Sequence, residues 1–98
     1  MLVKKLSEAG KLLDLAQTNC LKSGYVILKM GGEVGEHSTE NKEEAIIILS
    51  GKAKIVCGGE ERVVDSNSIV YIPRNTKHNV LNENKKDLKY VYVTVKVS

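Results

Sequence analysis

The chain has 98 residues, 42% of them hydrophobic, and a chain of this length closes one hydrophobic core, so we expect a single domain over residues 1–98. It contains no run of about 18 apolar residues and no secretion signal, and two cysteines cannot form a disulfide framework, which predicts a cytoplasmic protein with free thiols and no membrane contact. The net charge of +3 is small and unclustered, and Phe and Trp are absent, so nucleic-acid binding is not expected.

The N-terminal third carries a mixed pattern. Four apolar residues between Leu12 and Ala16 can share one face of a helix, and although Gly10 interrupts the periodicity, the pattern predicts one short helix. Residues 25–30 follow as a predicted strand rich in aliphatic side chains. Glycines at positions 31, 32 and 35 then predict a bend into a polar stretch.

The second half has the composition of a β-sheet, because most of the Val and Ile residues lie beyond Glu44. Short runs of these residues are separated by Gly51, by the pair Gly58 and Gly59, and by Pro73. The predicted strands cover residues 45–50, 52–57, 61–64, 69–72, 77–81 and 88–97. Short strands with frequent turns are typical of an antiparallel sandwich or barrel.

Two histidines and one glutamate are candidates for metal chemistry. His37 and Glu44 lie seven residues apart, His78 lies 34 residues beyond Glu44, and each stands at the edge of a predicted strand. Two imidazoles and a carboxylate on neighbouring strands could form a set of ligands for a divalent transition metal that leaves positions open for water or substrate. On residue types alone, two hydrogen-bonded histidines beside a surface glutamate are the commoner arrangement.

The spacing of these residues resembles the two sequence motifs of the cupin superfamily over residues 31–82. The first motif contains a glycine, His-x-His, a glutamate and a second glycine. The matching positions here hold Gly31, His37, Thr39, Glu44 and Gly51. The first motif therefore departs from the family pattern only where Thr39 stands in place of the second histidine.

The second cupin motif contains a glycine, Pro-x-Gly, a histidine and an asparagine. The matching positions here hold Asn67, Pro73, Asn75, His78 and Asn82. Asn67 and Asn75 replace glycines, and because Asn tolerates the left-handed backbone conformation better than other non-glycine residues, we expect both turns to be retained. We expect Asn82 to secure a turn through side-chain hydrogen bonds.

The resemblance implies an all-β fold, an antiparallel jelly-roll β-barrel (a double-stranded β-helix). It also implies a divalent transition metal, such as Mn, Fe, Zn or Ni, bound inside the barrel by His37, Glu44 and His78. Strand alternation agrees with an inward-pointing Glu44, since it places Glu44 on the same face as Ile46 and Ile48.

Thr39 is the departure with the most consequence for a metal site. A hydroxyl is a poorer ligand than an imidazole for these metals, so three protein ligands remain and we expect weaker binding, with water at the additional position. Glu40 has the opposite parity in an extended segment, and we expect it to be a solvated loop carboxylate. The alternative is a degenerate barrel that binds no metal tightly.

Three tyrosines and one cysteine are weaker candidates for function. Tyr71, Tyr90 and Tyr92 could line the barrel mouth and donate hydroxyls to a ligand, but in a chain so poor in aromatic residues we expect them in the core. Cys57 has neither a base nor a second thiol near it in sequence, and we expect it to be inert.

Alternation also directs Ala45, Ile47 and Leu49 away from the barrel interior. An outward apolar face usually has a covering partner, and burial of two or three such side chains contributes roughly 1.5 to 3 kcal/mol each. We therefore expect a homodimer formed through this sheet face. The alternative is that the N-terminal segment folds over it.

Three functions agree with the resemblance, and all of them involve a small-molecule ligand. The first is a metal-dependent isomerase of a sugar or uronate-like substrate, although no catalytic base is evident. The second is an Fe(II)-dependent dioxygenase that uses the two imidazoles and the carboxylate. The third is a non-catalytic module that binds or senses a small molecule.

Overall fold

The computed structural model describes residues 1–97, and strands are the regular elements found in that range. In chain order they are β1 (Gly10–Leu13), β2 (Leu21–Leu28), β3 (His37–Ser38), β4 (Lys42–Ser50), β5 (Lys52–Cys57), β6 (Glu60–Asp65), β7 (Ser68–Ile72), β8 (Lys77–Leu81) and β9 (Leu88–Lys96). Every pairing between them is antiparallel, so the predicted all-β class is confirmed.

The strands form two sheets, as expected for the predicted jelly-roll barrel. One sheet has five strands in the order β1-β2-β9-β4-β7, and the other has four in the order β3-β8-β5-β6. Consecutive strands β4 and β5 belong to different sheets, and the single residue Gly51 connects them. Side chains that point inward from both sheets therefore meet in a shared interior.

The core is built from alternate residues of the strands, because successive side chains of a strand point to opposite faces of its sheet. On β4, Ile46 and Ile48 are fully buried and Glu44 is 9% exposed, whereas Ala45 and Ile47 are half-buried on the other face. The predicted alternation of this strand is confirmed. The strand thus carries a carboxylate into the interior, next to the aliphatic core.

The predicted helix near the N-terminus is wrong. Gly10–Leu13 forms a strand that pairs with β2, and a turn follows in which the backbone N–H groups of Gln17 and Thr18 both donate to the carbonyl of Asp14. A helix of so few residues has too few hydrogen bonds to offset its nucleation cost, whereas the edge of β2 offers partners for the backbone. The predicted strand over residues 25–30 also begins earlier, since β2 spans Leu21–Leu28.

The two asparagines at glycine positions of the second motif adopt the conformation that was predicted for them. Asn67 has φ 63° and Asn75 has φ 54°. Asn82 is 1% exposed, and its side-chain amide donates to the carbonyls of Leu28 and Lys86, so its predicted role in securing a turn is confirmed. The turn at Asn75 lies at the end of the barrel that carries the histidines, whereas Asn67 and Asn82 lie at the opposite end, near the end of β4.

Among residues 1–97, no helix is long and apolar enough to cross a lipid bilayer.

Candidate metal centre

Three side chains that are distant in sequence meet at one end of the barrel, where Glu44 and His78 are buried and His37 is exposed. His37 of β3 lies directly opposite His78 of β8 in the four-stranded sheet, and their ring centroids are 4.2 Å apart. Glu44 approaches from β4 in the facing sheet. One nitrogen of each histidine and a carboxylate oxygen of Glu44 all lie within 4.8 Å of one another. The structure therefore brings together the three residues predicted as metal ligands.

Backbone carbonyls orient both imidazole rings. His37 Nδ1 lies 2.8 Å from the carbonyl oxygen of Gly35, and His78 Nδ1 lies 3.0 Å from that of Thr76. A carbonyl oxygen only accepts hydrogen bonds, so each Nδ1 carries the proton. The Nε2 atoms are then left for another partner. Such an outer hydrogen bond fixes the tautomer and the ring direction of metal-ligating histidines.

His78 and Glu44 form a buried, hydrogen-bonded pair across the two sheets. His78 Nε2 donates to Glu44 Oε1 over 3.0 Å, and the two side chains are 1% and 10% exposed. This hydrogen bond raises the pKa of His78 above its ordinary value, although burial acts in the opposite direction. Because both ring nitrogens face acceptors, the protonated imidazolium satisfies both partners. A metal that bound Nε2 would replace that proton.

Thr39 is occupied by hydrogen bonds within the protein. Its hydroxyl donates to the carbonyl of Pro73 over 2.7 Å and accepts from the N–H of Thr76 over 3.1 Å. Thr39 is 5% exposed and ties the start of β4 to the loop before β8. Glu40 is exposed, has φ 55° and is not part of the three-residue cluster, as predicted for a loop carboxylate.

A cavity of about 340 Å³ opens next to the cluster. Its remaining walls are apolar, hydroxyl-bearing and cationic, and they are contributed by Lys22, Val26, Val34, Ser38, Thr39, Lys42, Val80, Tyr90, Tyr92 and Thr94. The volume suits a small metabolite. Burial, and secondly the charge of Glu44, raises the pKa of Tyr90 well above its usual range, so its hydroxyl is a neutral donor at physiological pH.

The three tyrosines take different positions. Tyr90 is 3% exposed and belongs to the core, as predicted, while its ring also lines the cavity. Tyr92 lines the cavity and lies over Gly24, where an added Cβ would come within 2.5 Å of the tyrosine ring. Tyr71 is 60% exposed on the outside of the barrel, so its predicted core position is wrong. Tyr71 and Ile69 are two residues apart on edge strand β7, so both side chains point to the outer face of the sheet.

Sequence reasoning missed the two cationic residues of the cavity, Lys22 and Lys42. Lys42 precedes Glu44 by two residues on the same strand, so alternation was a sufficient signal that both share a face. Lys22 was not detectable in this way, because the predicted strand began only at residue 25.

The donor set fits a divalent transition metal. Two imidazole nitrogens and one carboxylate oxygen are a donor set found in non-haem iron and zinc sites. Here the three atoms lie close enough to bind one ion together. The carbonyl bonds of both histidines supply the outer support that such ligands need.

Sequence comparison identifies the family of the chain. The family model described as a cupin domain matches residues 24–94. A mannose-1-phosphate guanylyltransferase of Salmonella montevideo is 34% identical over 68 residues, which are 69% of this chain and 14% of that enzyme. The chain thus spans only a small part of this relative.

Solved structures share the fold. A predicted oxalate decarboxylase of Thermotoga maritima aligns with a TM-score of 0.85 and 22% identity, covering 91% of this chain and 79% of its own. A cupin 2 conserved barrel domain protein of Salinispora arenicola aligns with a TM-score of 0.82 and 21% identity, covering 98% and 89%. With the family match over most of its length and the jelly-roll topology, the chain belongs to the cupin family.

Proposed function

We propose that this cupin binds one divalent transition metal through His37, Glu44 and His78 and isomerises a small sugar- or uronate-like substrate in the adjoining cavity. The observation that carries the proposal is the convergence of the three ligand atoms within 4.8 Å at the cavity wall. When bound, a divalent metal supplies Lewis-acid polarisation of a carbonyl or enediol oxygen.

The cavity has the chemistry to hold a polyhydroxylated substrate. The hydroxyls of Ser38, Tyr90 and Thr94 line it and can exchange hydrogen bonds with substrate hydroxyls. Val26 and Val80 add apolar surface to the cavity wall and limit the access of water. The relative from Salmonella is named for a sugar-phosphate substrate, which supports a substrate of this type, although the match spans 14% of that enzyme.

A second candidate function, non-catalytic binding of the same class of molecule, is favoured by one specific observation. Every carboxylate and imidazole among the residues that line this cavity belongs to the three-residue cluster itself. An isomerase therefore depends on Tyr92 or Lys42 to move protons, because ligands engaged by a metal are poor bases. A dioxygenase is the third candidate, since its two-histidine, one-carboxylate donor set is also the one present here.

Elemental analysis of protein purified without added metal tests the shared premise of these candidates. We expect about one equivalent of a transition metal in the wild type and less than about a tenth in His37→Ala and His78→Ala, because each removes one of three ligands. Wild-type protein with less than about a tenth of an equivalent, unchanged in both variants, would refute the metal site. Conversion of sugars without oxygen supports the isomerase, oxygen consumption supports the dioxygenase, and ligand binding without conversion supports the binding module.

We also propose that the chain forms a homodimer through the outer face of the five-stranded sheet. On this face Ile47 lies between Val91 of β9 and Ile69 of β7, and Ile69 and Tyr71 are 69% and 60% exposed. The first ten residues of the chain are exposed and β1 extends the edge of the sheet, which supports a second copy rather than this segment as the cover of the face.

Sedimentation equilibrium tests the dimer. We expect a dimer at micromolar concentration and its dissociation in Ile69→Glu, because a charge in an apolar interface loses its hydration. Val63→Glu is the matched control, since Val63 is 68% exposed on β6 of the other sheet and should leave the dimer intact. A wild-type protein that stays monomeric at high micromolar concentration would refute this interface.

A further inference from the structure

We propose that Lys22, Lys42 and Lys96 bind the anionic group of the ligand, a phosphate or a carboxylate, while its oxygen-rich end lies at the His37, Glu44 and His78 cluster. This inference deepens the proposed function and rests on it for the position of the ligand's other end. It names the class of ligand: a small, polyhydroxylated anion.

The three lysines lie on adjacent strands of one sheet and on one face of it. Lys42 of β4 is directly opposite Lys96 of β9, and Lys22 of β2 is directly opposite Thr94 of β9. Glu44 is opposite Thr94 from the other side, so the lysines share the inward face with the candidate metal ligand. Glu44 and the lysines are therefore neighbours on one sheet face, and the two histidines face them from the other sheet.

Two recesses meet at these lysines. Lys22 and Lys42 line the cavity beside the cluster, and together with Thr94 they also line a second recess of about 270 Å³. Lys96 lines this second recess. A ligand that extends from the cluster toward the barrel mouth passes between the lysine side chains.

The arrangement of charge favours a bound anion, with Lys42 half-buried and Lys22 and Lys96 exposed beside it. Like charges directly opposite on paired strands are destabilising, and Lys42 and Lys96 form such a pair. Within residues 1–97, no carboxylate oxygen lies within 4.0 Å of the ammonium groups of Lys22, Lys42 or Lys96, although Glu40 also lines the second recess. In the described range, the lysines with such partners are Lys29, Lys52 and Lys54. A bound phosphate or carboxylate would offset this repulsion through charge-assisted hydrogen bonds.

The spacing limits the size of the ligand. Lys42 and Glu44 are two residues apart on one face of a strand, which separates their Cα atoms by about 7 Å. A molecule of about four to six carbons spans this distance with an anionic group at one end. The hydroxyls of Ser38 and Thr94 lie along the same path and can bind its middle.

Titration calorimetry with three probes of similar size tests the proposal: glucose 6-phosphate, gluconate and neutral glucose. We expect at least one of the two anions to bind at least about tenfold more tightly than glucose, because hydrogen bonds to charged groups are the stronger ones. The double variant Lys22→Gln/Lys42→Gln should lose at least about tenfold in anion affinity. The matched control is Lys85→Gln/Lys86→Gln, which removes the same charge from an exposed turn and should change the affinity less than about twofold.

The outcomes separate this inference from the proposed function. Tighter binding of glucose 6-phosphate identifies a phosphate site, and tighter binding of gluconate a carboxylate site. Glucose bound as tightly as both anions, no binding of any probe, or equal losses in the two double variants would overturn the inference. Metal content measured on the same samples reports the cluster alone, since the lysines are not ligands. If the protein binds the anions but contains no metal, the lysine site is supported and the proposed function fails. If it contains metal but binds neither anion, the metal site is supported and the lysine site fails.

Discussion

His78→Ala is expected to destabilise the metal-free protein by about 3 kcal/mol at pH 6. The substitution leaves the buried carboxylate of Glu44 without its cationic partner. It also creates a cavity among buried side chains. We place the loss at the lower end of the range for broken buried pairs, because Glu44 lines a cavity and His37 lies close enough to approach it.

The loss should depend on pH with a defined sign. The pKa of His78 is higher in the folded than in the unfolded protein, so the pair's contribution is fully present below about pH 6.5, the unfolded value. The contribution disappears as pH rises through the folded pKa. Urea denaturation at pH 6 and at pH 9 measures the difference, and the wild type should lose more stability than His78→Ala between the two.

Glu44→Gln is the matched control for this pair. Glutamine keeps the shape of the side chain and an oxygen that can accept from His78 Nε2, but it removes the charge. We expect a smaller loss than in His78→Ala and a weaker pH dependence, since the imidazolium no longer has a carboxylate partner. A cost of less than about 1 kcal/mol for His78→Ala at pH 6, or one independent of pH, would contradict the ion-pair account.

Local sequence patterns were sufficient to predict side-chain orientations and backbone conformations that depend on neighbouring residues in the chain. Alternation placed Glu44 in the interior with Ile46 and Ile48, and the tolerance of Asn for the left-handed region anticipated the backbone of Asn67 and Asn75. In each case the determining interaction is steric and lies within a few residues.

The remaining features depend on contacts between distant segments. Gly10–Leu13 is a strand because β2 offers an edge, and nothing within that segment encodes the edge. The partners of Thr39 are Pro73 and Thr76, more than 30 residues away, so its structural role followed only from the fold. Lys22 enters the cavity through the register of β2 with β9, which a single sequence does not specify.

Gly51→Ala is expected to cost about 3 to 5 kcal/mol. Gly51 connects the two sheets with φ +86°, a conformation that alanine rarely adopts. Its added Cβ would also lie 2.5 Å from the carbonyl oxygen of Asp87 and 3.1 Å from the Cα of Leu88. Both contacts are with backbone, so no side-chain rotation relieves them.

Gly59→Ala separates the two causes of this loss. Gly59 has nearly the same backbone conformation, φ +83°, but nothing lies within 4 Å of an added Cβ. It should therefore lose only about 1 kcal/mol, the cost of a left-handed conformation in a residue with a Cβ. Urea denaturation of both variants gives the two losses. Equal losses would mean that the backbone of residues 87 and 88 yields to the methyl group, and the close approach at the corner between the sheets would then not limit the residue at position 51.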